Sequence, residues 1–173
     1  MECKDKIYKN FELFNEKGEA IVSIVPLQSH IIVITKECSF DTYGKIDGFS
    51  FFAYAMNQCY ENSIVGMHIA ELYCTPFYCS EYQNINEFRI QDFIVSMSWR
   101  NRGIGSLLMK ELKKFAIQLK ISRITGWLST VDIGTDEDID KKECRNRVYH
   151  FYEKHGFLIT DQKDIILELY QQN

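Results

Sequence analysis

Seven consecutive residues, Arg100-Asn101-Arg102-Gly103-Ile104-Gly105-Ser106, have the types and spacing of a ligand-binding turn. They follow an apolar run, Phe93-Ile94-Val95, and precede a segment of helical periodicity. A loop that opens a helix presents backbone N–H groups with no carbonyl four residues back to receive them. The helix dipole adds a partial positive charge, so an anion is favoured there. Gly103 and Gly105 let the backbone approach such a group closely. Arg100 and Arg102 would add charge-assisted hydrogen bonds to phosphate oxygens. These parts together suit a diphosphate, although the same letters in isolation also describe a solvated turn. Two other phosphate loops do not fit. A dinucleotide fingerprint needs G-x-G-x-x-G with an acidic residue about twenty positions on, and a P-loop needs Gly-Lys-Ser or Gly-Lys-Thr.

Other residues able to do chemistry are more scattered. Asp92 is the carboxylate nearest the loop on the preceding run, with Glu87 behind it, and it reads either as a general base or as a solvated strand residue. Tyr152 carries a phenol with an ordinary pKa near about 10, which serves as an acid or simply packs with Val148 and Phe151. Asp132, Asp136, Glu137, Asp138 and Asp140 either steer a cation or solvate a loop. Six cysteines show no C-x-x-C pair and no histidines at zinc-finger spacing, so they read as free thiols and no metal site is expected.

The elements that must position these groups are legible in the periodicity. Ile21 to Val25, His30 to Thr35, Phe49 to Met56 and Ile64 to Leu72 are rich in β-branched and aromatic residues and read as a strand meander. The polar breaks Asn15 to Gly18 and Asn57 to Asn62 read as hairpin turns. Phe88 to Met97 is a further strand whose alternation slips between Ile90 and Phe93, as at a β-bulge. Ile104, Leu108, Leu112, Phe115 and Leu119 then step by four, four, three and four, which predicts an amphipathic helix starting near Gly105. Ile124 to Val131 is a strand, Lys141 to His155 a helix capped by Gly156, and Phe157 to Thr160 with Ile165 to Tyr170 a closing pair of strands. The expected fold is α/β (α+β), a mixed, mostly antiparallel sheet flanked by helices.

Composition bounds the rest. A chain of 173 residues with 46% hydrophobic and 25% charged residues is ordinary for one globular domain, expected here over 1–173. A net charge of -4 disfavours nucleic acid as a partner. Met1 to Asn10 lacks the apolar stretch of a signal peptide and no run approaches the roughly 20 apolar residues of a membrane span, so the expectation is a cytoplasmic protein without a membrane partner.

The loop does not stand alone. It resembles the Q/R-x-x-G-x-G/A pyrophosphate loop of GNAT acetyltransferases. Phe151-Tyr152-Glu153-Lys154-His155-Gly156-Phe157 resembles the ending of that family's last helix, and Ile64-Val65-Gly66-Met67 its turn into the third strand. The three motifs stand in the family's order and span roughly Phe49 to Phe157. The resemblance implies that Arg100 to Ser106 hold the pyrophosphate of acetyl-CoA as co-substrate, and that the backbone of Phe93, Ile94 and Val95 bonds the pantetheine arm. It further implies acetyl transfer to an amine acceptor, a small molecule or a peptide, by direct attack on the thioester. Tyr152 would then protonate the departing thiolate, and Asp92 is the candidate base.

Three departures bear on this. The family's CoA-contacting asparagine falls at Arg145, with Asn146 one position later as the substitute contact. The connection from Ser129 to Lys142 is long and acidic. Glu37 to Gly48 is too short and polar for the two helices the family usually places near the acceptor, so residues 1–48 form an atypical, strand-rich beginning. A non-catalytic acyl-CoA sensor on the same fold remains the main alternative. A basic surface of Trp99 to Arg102 with Lys110, Lys113, Lys114 and Lys120 is a weaker, nucleic-acid one. Strand edges would allow a homodimer.

Overall fold

The structure is a computed structural model, and it describes residues 19–28, 30–57, 66–78, 84–129 and 141–169. Among the described residues, eight strands and two helices run in the order β1 (Ala20–Leu27), β2 (His30–Phe40), β3 (Ile46–Asn57), β4 (Met67–Tyr78), β5 (Ile85–Val95), a 3-10 turn (Met97–Trp99), α1 (Ile104–Gln118), β6 (Arg123–Trp127), α2 (Lys142–Lys154), β7 (Leu158–Ile159) and β8 (Asp164–Glu168). The strands are ordered β1-β2-β3-β4-β5-β6-β8-β7 in a mixed, mostly antiparallel sheet, as expected. The predicted turns at residues 15–18 and 58–62, the Ile64-Val65 part of the third motif and the acidic stretch 132–140 lie outside the described residues.

The chain forms two compact units, Met1–Cys74 with Asp92–Lys113, and Thr75–Gln91 with Lys114–Asn173. In the first, β2 pairs β3 without interruption from His30↔Asn57 to Ser39↔Gly48. Residues 41–45 connect them. Asp41 N–H donates to Lys45 C=O at 2.8 Å, Gly44 sits at φ +75°, and the Asp41 carboxylate accepts the Tyr43 and Lys45 amides at 2.8 and 2.9 Å. An aspartate opening the turn and a glycine in the left-handed region are what this hairpin geometry requires. No helix separates these strands, in agreement with the reading of Glu37 to Gly48. Phe49, Phe51, Ala53 and Ala55 alternate inward along β3, and Ile32, Ile34, Ile69, Leu72, Leu108, Met109 and Leu112 are buried with them in this unit.

In the second unit, β5 pairs β6 in parallel from Glu87↔Arg123 to Ile90↔Gly126, and β6 pairs β8 antiparallel along its whole length. Phe88 stacks on Phe115 with ring centroids 5.6 Å apart. Ile121, Ile124, Leu128, Phe157 and Ile165 complete this core. β6 ends at Trp127, four residues short of the predicted Val131, where Leu128 N–H turns to the carbonyl of Lys163 at 3.0 Å.

Both helices end in the same device. Gly156, at φ +81°, sends its N–H to Glu153 C=O at 2.8 Å, and Phe157 N–H reaches Tyr152 C=O at 3.1 Å. This is a Schellman motif, and its usual apolar contact is the Tyr152–Phe157 ring pair, 5.4 Å between centroids. The Tyr-Glu-Lys-x-Gly-Phe ending thus has a conformational basis. At the end of α1, Lys120 N–H bonds Ile117 C=O at 3.0 Å and Ile121 N–H bonds Ala116 C=O at 2.9 Å, with Lys120 itself at φ +57°. That early reversal turns Leu119 outward, to 40% exposure, although it continues the apolar stripe in sequence. A left-handed conformation costs a side-chain-bearing residue about 1–2 kcal/mol. Lys120→Gly is therefore expected to raise unfolding stability by about 1 kcal/mol, and Gly156→Ala, whose new Cβ would meet only Leu167 Cδ1 at 3.5 Å, to lower it by about the same. Urea titration of the two variants reads both signs.

Candidate functional site

The loop from Ser96 to Ser106 is built on the first unit. Ser96 N–H bonds Ile69 C=O at 2.9 Å, Trp99 N–H returns to Ser96 C=O at 2.8 Å, and Arg100 is extended at φ -65°, ψ 154°. Two buried side chains pin the segment from below, Trp99 at 6% and Ile104 at 1% exposure. The Trp99 ring meets His30 edge-on at 5.0 Å, and the Arg102 guanidinium lies 5.2 Å from its centroid. Between these anchors Asn101 and Gly103 both have positive φ, +59° and +85°. Asparagine tolerates this region and glycine adopts it without cost.

α1 then begins, its first rung being Leu107 N–H to Gly103 C=O at 3.0 Å. The amides of Ile104 and Gly105 precede that rung, so the helix ladder offers them no acceptor. The first turn of this 15-residue helix carries no acidic residue to oppose an anion. A Cβ placed on Gly103 would find nothing within 4 Å, so the backbone is open on that side. Gly105 lies within the helix, where its contribution is a missing side chain beside these amides. Asn101, Arg102 and Gly103 are at the surface around the start of this helix, the kind of terminus that favours an anion. Arg100 extends a shorter reach than its sequence position implied: its Nε donates to Val95 C=O at 3.0 Å. That bond ties the loop to the end of β5.

Along β5 the alternation slips as expected. Phe88 and Ile90 are buried, Gln91 and Asp92 are both exposed, and Phe93 and Val95 are half-buried with Ile94 54% exposed. Asp92 is thus a surface carboxylate. Glu87 is the opposite: buried, it accepts from Thr125 Oγ1 at 2.6 Å and from Arg123 Nε at 2.9 Å, with Arg89 Nη2 at 3.4 Å. Burial pushes its carboxyl up, but the Thr125 and Arg123 hydrogen bonds and the charges of Arg123 and Arg89 outweigh it and hold the group below the usual carboxylate range. This cluster clamps the start of the parallel ladder and leaves Glu87 a poor proton acceptor.

In the second unit Tyr152 is 7% exposed, its ring between Phe151 and Phe157. Arg145 stands two turns earlier on the same stripe and is buried at 6%, whereas Asn146 is exposed. Position 145, and not 146, therefore keeps the register with Tyr152. Tyr149 lies on the stripe between them with its hydroxyl buried. Trp99 reads in the sequence only as part of a basic segment, and Tyr149 and the Arg123–Thr125 pair are not marked there. Only the parallel register Glu87↔Arg123 would have signalled the last of these. Among the described residues no three His, Cys, Asp or Glu side chains gather as a metal-ligand set, and Cys38, Cys74 and Cys144 are free thiols. No described helix is long and apolar enough to cross a membrane.

Because the Glu87 carboxyl has its pKa lowered by folding, it stabilises the protein above about pH 4.3, its unfolded value, and loses that contribution as pH falls through the folded value. Glu87→Gln is expected to lower the urea midpoint at pH 7 and to approach wild type near pH 3. An equal deficit at both pH values would contradict an ionised Glu87.

Comparison with known proteins follows the same outline. The family model for the acetyltransferase (GNAT) domain matches residues 47–158. No curated protein sequence matches the chain. Among solved structures, the chain is similar to Arabidopsis thaliana NAA60 in complex with a bisubstrate analogue, at 11% identity, TM-score 0.52, covering 72% of this chain and 77% of that one. It is also similar to a GNAT family acetyltransferase from Elizabethkingia anophelis with acetyl-CoA bound, at 18% identity, TM-score 0.47, 71% and 77% coverage. A GNAT-family acetyltransferase from Desulfovibrio desulfuricans matches at 14% identity, TM-score 0.47, 70% and 69% coverage.

Proposed function

Since the chain belongs to the GNAT acetyltransferase family, whose domain spans residues 47–158, we propose that it transfers the acetyl group of acetyl-CoA to a primary amine. The observation that carries this reading is the loop itself, in which Gly103 at φ +85° leads into a helix whose first turn has no acidic side chain, with the Ile104 and Gly105 amides ahead of its first rung. In the proposed reaction the neutral amine nitrogen attacks the thioester carbonyl carbon. The C–N bond forms, the C–S bond breaks, and the electron pair leaves on sulfur. The amine's proton goes to solvent or to Asp92, which is exposed and close in sequence to the loop. Glu87 does not take that role, since its arginine and threonine partners hold it ionised. Tyr152 supplies a proton to the CoA thiolate, and its packing against Phe157 fixes the ring that carries the hydroxyl.

An acyl-CoA sensor on the same fold is favoured by one observation: Glu87, the buried carboxylate of β5, has its pKa lowered and not raised toward neutrality, the usual mark of a general base. Binding and turnover separate the two. In calorimetry, acetyl-CoA is expected to bind wild type and to bind Gly103→Glu at least about tenfold more weakly, since the new carboxylate would stand where a phosphate belongs. Tyr152→Phe, which keeps the ring, is expected to lower kcat for CoA release with an amine panel by about 100-fold or more while leaving acetyl-CoA affinity nearly unchanged. Binding without thiol release from any amine would favour the sensor. No binding at millimolar acetyl-CoA would defeat both readings.

A further inference from the structure

We infer that Trp99 is a positioning residue for acyl-CoA, its indole holding the Arg102 guanidinium where a phosphate of the ligand would meet it. The inference rests on the acyl-CoA reading above. Trp99, Arg102 and the residues that support them all belong to the first unit. The Arg102 guanidinium lies over the Trp99 ring, 5.2 Å from its centroid, inside the roughly 6 Å at which an aromatic face attracts a cation. Arg102 is exposed, whereas Trp99 is buried. A long, solvated side chain is thus laid against a fixed surface.

That surface is itself held in place. His30, at the start of β2, meets the indole edge-on with ring centroids 5.0 Å apart. Trp99 N–H donates to Ser96 C=O at 2.8 Å, and Ser96 N–H donates to Ile69 C=O at 2.9 Å, which ties the residue through the loop to β4. The consequence follows from the shape of a guanidinium. Its five N–H groups lie in the plane, and stacking occupies only a face, so a stacked arginine still presents paired donors to phosphate oxygens. An arginine free in water gives up rotamer freedom when it binds, which weakens the contact. Arg102 held on Trp99 has given up part of that freedom beforehand. Arg100 is set differently, by the bond from its Nε to Val95 C=O at 3.0 Å. One loop arginine is therefore placed by the backbone and the other by the indole.

A double-mutant cycle with CoA as the probe tests this by calorimetry. Arg102→Gln is expected to bind CoA about tenfold more weakly than wild type. The same change made in Trp99→Leu is expected to cost a factor about two- to fivefold smaller, because the guanidinium there has no ring to rest on. Trp99→Phe keeps a ring of weaker attraction and is expected to fall between the two. Urea titration shows which variants fold. If Trp99→Leu does not, the Trp99→Phe cycle decides alone, with Arg102→Gln again costing less there than in wild type. A Trp99 that only packs would weaken CoA by the same factor with or without Arg102, and that additivity would overturn the inference. So would an Arg102→Gln variant that binds CoA as tightly as wild type. In both of those cases wild type still binds CoA and the acyl-CoA reading stands. If wild type takes up no CoA at millimolar ligand, that reading fails and this inference with it.

Discussion

The parallel ladder between β5 and β6 is the constraint on which the functional geometry depends. Parallel neighbours cannot be joined by a hairpin, so the chain must leave β5 at its carboxyl end, cross over, and return to start β6. α1 is that crossover, and its N-terminus therefore follows directly on the end of β5. The glycine-containing turn from Arg100 to Ser106 is a consequence of this connection. Four paired residues, Glu87 to Ile90, are enough because Glu87, Arg89, Arg123 and Thr125 clamp the ladder's first rungs with hydrogen bonds and charge. At the last rung Gly126 is closely surrounded: a Cβ there would lie 3.0 Å from Ile165 Cδ1 and 3.2 Å from Ile90 Cβ, so its neighbours would have to give way. Close backbone approach at Gly126 keeps the three strands of this region in register up to the point where β5 and β6 stop pairing.

The two residues with most chemistry attached to them, Arg100 and Tyr152, also hold structure. Arg100 Nε binds Val95 C=O, so the residue that would meet a phosphate also fixes where the loop departs from the strand. Tyr152 is the third residue from the end of its helix and accepts the Phe157 amide. Its ring cannot drift without undoing the cap. A packing role and an acid role for Tyr152 are therefore compatible, because the packing determines where the hydroxyl is held.

Much of this was legible in the sequence. The helix period from Ile104, the glycine cap at Gly156 and the alternation slip after Ile90 are local signals, and each has its counterpart in the structure. So has the short polar link after Glu37, which folds as a tight turn on Asp41 and Gly44. What escaped is non-local. Nothing in the letters tells that Glu87 faces Arg123 across 36 positions, since that depends on strand register. Leu119 continues the apolar stripe in sequence, and periodicity cannot see that Lys120 takes a positive φ and the helix ends at Gln118. Trp99 reads as one more aromatic in a basic segment until its contact with His30 shows it as the loop's anchor.

Backbone hydrogen exchange with and without saturating CoA tests most directly the claim that these amides form an acyl-CoA site. The account predicts slowed exchange concentrated in Phe93 to Val95 and in Gly103 to Ser106, the two segments that a bound CoA would cover. Exchange in those two segments that is the same with and without CoA, while the protein demonstrably binds it, would contradict the account.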